Sequence, residues 1–286
     1  MPEIAVDYPK YSVLMSLYEK ECPDYFRVAM DSMLGQTIKP DEIVIVEDGP
    51  LTDALYAVLD EYAKKSDVPI KTVKNAENFG LGFSLNVGLK ACRNEFVARM
   101  DTDDISMPER CKKQLDVFAK HPELSIVGAY VDEFYNDPMK IESTRVVPET
   151  YDAIYQFAKK RSAFNHPVVM YRKSKVLEFG GYANLRRNQD VDLFGRMLFG
   201  GCKAENVGES LLRFRSNDAL TKRRKSWENT KSYIDTIRKF HKMGYSSFMD
   251  YAKVAVAQTA VFLMAPKIQR WVYRKLLSQN TTASLQ

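Results

Sequence analysis

Three carboxylates, Asp101, Asp103 and Asp104, follow directly on the apolar run EFVARM (residues 95–100). Like charges this close repel one another unless something cationic lies among them. Oxygen donors of this kind suit a hard divalent cation, Mg2+ or Mn2+. Such an ion takes one or two protein carboxylates and leaves its other positions to water and substrate phosphates. A nucleoside diphosphate is the natural completion. The same string also fits a solvated acidic turn, or caps for the helix that follows Pro108. By itself, D-x-D does not choose between them.

Two further stretches carry chemistry. Asp48 closes EIVIVEDGP, where the Gly-Pro pair forces a turn. Its carboxylate can accept from a base imide or a ribose hydroxyl, or bond its own backbone. In RRNQDVDLFGRM (residues 186–197), Asp190 and Asp192 open an amphipathic helix. A carboxylate there either caps the helix or serves as general base for an acceptor hydroxyl. NFGLGFSLNVGL (residues 78–89) places Gly80 and Gly82 at a helix entrance, where free N–H groups could face phosphate. The string lacks both GxGxxG and GxxxxGK[ST], so it supports neither a dinucleotide fold nor a kinase-type phosphate loop.

The elements that must position these groups alternate. Strands are expected at 11–18, 42–48, 70–74 and 95–100, and helices at 23–36, 51–65 and 82–92. Such alternation predicts βαβ units on a mainly parallel sheet with helices on both faces. Ligands then bind beyond the carboxyl ends of the strands. Ser16, Tyr18, Asp48, Asp101 and Asp103 stand at those ends, so they should converge on one rim. The second half is less regular. Helices are expected at 108–120, 150–161, 190–201 and 227–242, strand at 125–135 and 166–174, and a last helical stretch broken at Pro266.

Composition narrows the class. The 286 residues are 45% hydrophobic and 28% charged, as in a soluble globular protein with a sizeable core. Cys22, Cys92, Cys111 and Cys202 are scattered without a CxxC pair, which indicates neither a zinc knot nor a disulfide framework. No signal peptide is read at the start, and the expected compartment is the cytoplasm. The apolar run 254–265 is too short to span a bilayer, which takes about 20 residues. The net charge of +5 is unevenly spread, because fifteen Lys/Arg face four Asp/Glu from Arg213 onward. The remaining body is acidic. A basic tail of this kind suggests contact with an anionic surface, although a solvated helical face gives the same count. The acidic core and the absence of a nucleic-acid motif argue against nucleic acid as a partner.

Taken in order, SVLMSLYEKE, LGQTIKPDEIVIVEDGP, NFGLGFSLNVGL, VARMDTDDISMPER, NHPVVMYRKS, GGY and NQDVDLFGRM resemble the family 2 glycosyltransferases of the GT-A fold over residues 11–224. The similarity is greatest to bacterial enzymes that build capsule, exopolysaccharide and O-antigen units on a lipid carrier.

The resemblance implies an α/β domain at 1–224 and a basic helical extension at 225–286. It implies inverting transfer of a hexose, galactose or glucose, from a UDP-sugar to a lipid-diphosphate-linked saccharide, with Mn2+ or Mg2+. Ser16 and Tyr18 would line the uridine site, Asp48 would recognise the base, and Arg99 would lie near the diphosphate. Asp101 would stand near ribose and metal, Asp103 would ligate the metal, and Asp104 would support either. Asp190 matches the base of an acidic motif that here reads Gln189–Asp190, with Asp192 as its competitor. His166 would lie near a sugar without a catalytic role. The expected location is peripheral, on the inner face of the cell membrane. There the basic amphipathic segment 267–277 would lie in the interface. The alternatives are a nucleotide-sugar-binding protein without turnover, or a nucleotidyltransferase. The latter would want a Gly-rich basic loop near the N-terminus, which the chain lacks.

Overall fold

The computed structural model describes residues 8–216 and 226–264. Four strands build the first half of the sheet: β1 (Tyr11–Leu17), β2 (Glu42–Glu47), β3 (Ile70–Lys74) and β4 (Phe96–Arg99). They pair in parallel in the order β3-β2-β1-β4. The crossovers are α1 (Pro23–Leu34), α2 (Asp53–Lys65) and α3 (Leu81–Ala91). Strands covered on both faces read as unbroken apolar runs, as β1, β2 and β4 do, while β3 at the sheet edge exposes Lys71, Thr72 and Lys74. Val13 and Met15 of β1 face the core under α1 and α2, while Leu14 between them faces the core under α3.

Beyond β4 the sheet is mixed, where a mainly parallel one was expected. β8 (Met170–Arg172) runs antiparallel to β4 and to β6 (Leu124–Phe134). β9 (Lys203–Arg215) is parallel to β6, and β5 (Ile105–Ser106) pairs antiparallel with β9. β7 (Ser143–Arg145) forms a short hairpin with the far end of β6. Residues 166–174, expected as one strand, divide into a 3-10 turn (His166–Val168), β8 and the short α6 (Lys173–Glu178). Pro167 has no N–H to give a ladder, and the Asn165 side chain donates instead to the Ala129 and Arg145 carbonyls. β9 had no counterpart in the sequence reading. Its apolar positions are interrupted by Glu205, Gly208 and Glu209, and its register with β6 is shifted.

The remaining helices are α4 (Arg110–Lys120), α5 (Tyr151–Ala158), α7 (Gln189–Phe199), α8 (Trp227–Met243) and α9 (Phe248–Leu263). α8 buries Ile237 and Phe240 in the same core as Leu193, Phe194 and Met197 of α7. The basic segment 267–277 lies outside the described residues. Among the described residues, no helix is long and apolar enough to cross a membrane.

α3 approaches the sheet closely at Gly88, where an added Cβ would sit 2.3 Å from Leu14 Cδ1 and 2.7 Å from Val46 Cγ2. Alanine gains about 1 kcal/mol in helix preference, but overpacking costs ~1–3 kcal/mol. Gly88→Ala is therefore expected to lower the urea midpoint. An unchanged or higher midpoint would show that α3 shifts without cost.

Candidate active site

The register of the first strands sets the site. Ser16 pairs with Val46, the Asp48 amide donates to the Leu17 carbonyl at 2.8 Å, and the Met100 amide donates to the Leu14 carbonyl at 3.0 Å. The carboxyl ends of β1, β2 and β4 thus lie side by side, and Ser16, Tyr18, Asp48 and Asp101 share one rim. Ser16 and Tyr18 are half-buried.

Asp48 is buried and organises the loop after β3. Its Oδ1 accepts from the Phe79 amide at 2.9 Å and from Asn75 Nδ2 at 3.2 Å. Its Oδ2 accepts from the Gly80 amide at 3.0 Å. A carboxylate offers about four acceptor positions, so one on Oδ2 is left for a ligand donor. The Gly80 amide, expected to face phosphate, is used here to fix the loop.

β4 delivers Arg99 into the interior, 2% exposed, where it pairs with Asp101 Oδ1. Arg99 Nε and Nη1 are buried and find no partner among the described residues. The carboxylate oxygens of Asp101, Asp103 and Asp104 lie within 4.8 Å of one another. Asp104, fully buried, accepts from the Arg215 amide at 2.8 Å through Oδ1, while its Oδ2 has no donor. Arg215 Nε also holds the Asp103 carbonyl at 2.9 Å. Its guanidinium stacks 3.7 Å from the Tyr25 ring centroid. Burial, then the charge of Asp101, pushes the Asp103 carboxyl up to about 6. Burial and its two neighbours raise Asp104 as well. Clustered oxygens, mutual repulsion and an orphaned buried Oδ2 are what a hard cation relieves, so these residues fit Mn2+ or Mg2+.

Asp190 and Asp192 have different environments. Asp190, second in α7, is half-buried, and no side chain donates to it among the described residues. Burial raises its carboxyl, which the amides of Val191 and Asp190 itself partly offset. The charges of Arg99 and Asp101 reach it, so Asp190 and the β4 cluster share one electrostatic site. Asp192 is fully buried, accepting from Arg196 Nε at 2.8 Å and from Lys239 of α8. Arg196 in turn donates to the carbonyls of Phe179 and of Gly181, the latter at 2.7 Å. Asp192 is thereby committed to holding α7, α8 and the 179–181 loop together.

His166 contacts Tyr182 Oη through Nε2 at 3.0 Å, and Tyr182 Oη reaches Tyr171 Oη at 3.4 Å. Burial, then the charge of Arg99, lowers the His166 pKa well below the usual histidine range, so the ring is neutral. Asn75, Arg215, Tyr182 and Lys239 were missed as site residues. Asn75 follows β3 and obeys the same strand-end rule; Arg215 ends β9, which sequence pattern did not show.

The sequence profile of "Glycosyl transferase family 2" matches residues 12–183. The amylovoran biosynthesis glycosyltransferase AmsE of Erwinia amylovora is 35% identical over 265 residues, covering 93% of this chain and 98% of that protein. A UDP-Gal:alpha-D-GlcNAc-diphosphoundecaprenol beta-1,3-galactosyltransferase of Escherichia coli is 31% identical over 271 residues, covering 95% and 98%. Among solved structures, the mannosyltransferase PcManGT of Pyrobaculum calidifontis in complex with GDP-Man and Mn2+ superposes with a TM-score of 0.64. It is 15% identical, covering 98% of this chain and 82% of that one. This likeness establishes a shared GT-A fold.

The two carboxylates of α7 should separate by stability. Asp192→Ala strands the Arg196 charge and is expected to cost on the order of 3 kcal/mol. Asp190→Asn removes a carboxylate that burial disfavours, so its melting temperature should equal or exceed the wild type's. The reverse pattern would exchange their roles. Mn2+ should raise the melting temperature of the wild type and leave Asp103→Asn unmoved; equal shifts would place the ion elsewhere.

Proposed function

This chain belongs to glycosyl transferase family 2, and we propose that it moves a hexose, galactose or glucose, from a UDP-sugar to a lipid-diphosphate-linked saccharide, inverting the anomeric centre. One observation carries the reading. The carboxylate cluster at the end of β4 lies within electrostatic reach of Asp190 of α7, to which no side chain donates among the described residues, and the one suits a diphosphate and the other a hydroxyl. The choice of UDP and of a lipid-diphosphate acceptor follows the E. coli relative, whose name states both.

In this reading Ser16 and Tyr18 line the uridine, and the remaining acceptor position of Asp48 Oδ2 takes the base imide N–H. Arg99, with two unpartnered nitrogens, faces the diphosphate. Asp101 and Asp103 would hold Mn2+ or Mg2+, which when bound neutralises charge on the leaving diphosphate. Asp104 keeps the turn fixed to β9 through the Arg215 amide. Asp190 takes the proton from the acceptor hydroxyl as its oxygen attacks the anomeric carbon opposite UDP. Burial raises the basicity of Asp190, which strengthens proton abstraction. Neutral His166, held by Tyr182, borders a sugar and moves no proton.

We assign residues 1–224 to the transferase domain and 225–286 to an extension that rests on the inner face of the cell membrane. α9 leaves Phe248, Met249, Val256 and Leu263 between 59% and 74% exposed, with Lys253 beside them. Apolar side chains with flanking cations suit an anionic lipid interface.

Asp190→Asn should lower turnover about 10²–10⁴-fold and spare UDP binding. The acid limb of turnover should lie above the usual carboxylate range, because the base must lose a proton that burial helps it keep. Wild-type turnover in the variant would remove Asp190 from the role. A UDP-release screen across UDP-sugars, with Mn2+ or Mg2+ and a synthetic lipid-diphosphate sugar, tests the reaction itself; consumption of UTP or CTP instead would indicate nucleotidyl transfer. The full chain should float with anionic liposomes and a chain ending at 244 should not. Equal flotation would exclude the C-terminal segment as the anchor.

A further inference from the structure

We infer that α8 is a clasp that positions Asp190, with Ser232 as its principal positioning residue; the inference rests on Asp190 being the base. The turn before α7 is unusual. Asn188 sits at φ 59°, the sole non-glycine among the described residues in the left-handed region. Such a conformation costs energy for any residue with a Cβ and persists only where its surroundings hold it.

Those surroundings are one helix. Ser232 Oγ donates to the Arg187 carbonyl at 2.9 Å, Asn188 Nδ2 makes a long 3.4 Å contact with the Asn229 carbonyl, and Arg186 lies 3.7 Å from Glu228. Three consecutive residues ahead of α7 thus meet the first two turns of α8, at positions 228, 232 and 229. On the other side of Asp190, Lys239 reaches Asp192. One turn further, Gly195 lies so close to Phe240 that an added Cβ would sit 2.0 Å from its Cζ.

α8 therefore grips the chain both before and after the base and, among the described residues, makes no hydrogen bond to the base carboxylate. The exposed Arg186–Glu228 pair contributes little in water. Ser232 is different, because it satisfies the carbonyl that immediately precedes the left-handed residue. Removing it frees the turn to relax toward an ordinary helical or extended conformation. Asp190 is two residues from Asn188, so its carboxylate would move with the turn. Misplacement of a reacting group by about 1 Å is enough to cost up to 10²-fold in rate.

The test is steady-state kinetics on the full chain with the acceptor and donor identified by the UDP-release screen. Ser232→Ala should lower kcat roughly tenfold, with the donor KM and UDP affinity within about twofold of wild type. Ser232→Thr, which keeps the hydroxyl, should restore kcat, and Glu228→Gln should leave it unchanged. An undiminished kcat in Ser232→Ala overturns the inference. So does a loss shared with donor affinity and melting temperature, or one that Ser232→Thr fails to relieve. Asp190→Asn in the same assay separates the two claims. If that variant turns over normally, the base assignment fails; if it is inactive while Ser232→Ala is normal, the clasp alone fails.

Discussion

Repulsion among Asp101, Asp103 and Asp104 governs this site, and much of the surrounding fold contains it. Arg99 neutralises Asp101 from beneath the sheet end. A second fully buried arginine, Arg110 of α4, donates to the Arg99 carbonyl at 2.6 Å and fixes the strand that carries the cluster. Arg215 ties the turn to β9 through its amide and guanidinium. Burying ions is costly unless they are paired and hydrogen-bonded. Here the pairing is incomplete, since one Asp104 oxygen and two Arg99 nitrogens stay unmatched. Leftover polarity of both signs at one place is the complement of a cation bound together with a diphosphate.

Asp190 and Asp192 show the same residue type put to opposite uses by its neighbours. Two positions apart at a helix start, they are equivalent to a sequence reading, and either could cap or abstract a proton. Asp192 turns toward α8 and accepts from Arg196 and Lys239, so its carboxylate is committed to packing. Asp190 is desolvated without a cationic donor among the described residues, so its carboxylate remains basic and available for a hydroxyl.

The first half of the chain was legible because β1, β2 and β4 are buried on both faces and its crossovers are short. Unbroken apolar runs then mark strands, and the strand-end rule marks the rim. The second half was harder for specific reasons. β9 is interrupted by Glu205, Gly208 and Glu209 and pairs through shifted registers, so no period of two survives in its sequence. Pro167 broke what read as a single strand. Asp48 was identified by position, but its engagement with Phe79, Gly80 and Asn75 depends on how the loop after β3 folds back. The separation of Asp190 from Asp192 depends on a residue 47 positions further on, and no local pattern reports that.

The residues of the site also divide along the chain. Ser16, Tyr18, Asp48, Arg99 and the carboxylate cluster fall within residues 12–183, the segment the family profile describes. Asp190, Asp192 and all of α8 lie beyond it, although relatives at 31–35% identity align over at least 93% of the chain. This division has a physical reason. A nucleoside diphosphate presents the same phosphates and ribose whichever hydroxyl receives the sugar, so the groups facing it can be common to many enzymes. The hydroxyl arrives on molecules of different shape, and the base must be held where that particular hydroxyl comes to rest. A base borne at the start of a helix and steered by a neighbouring helix can be re-aimed by changes in the second helix alone. The residues proposed for metal and nucleotide at the ends of β1, β2 and β4 need not move when it is.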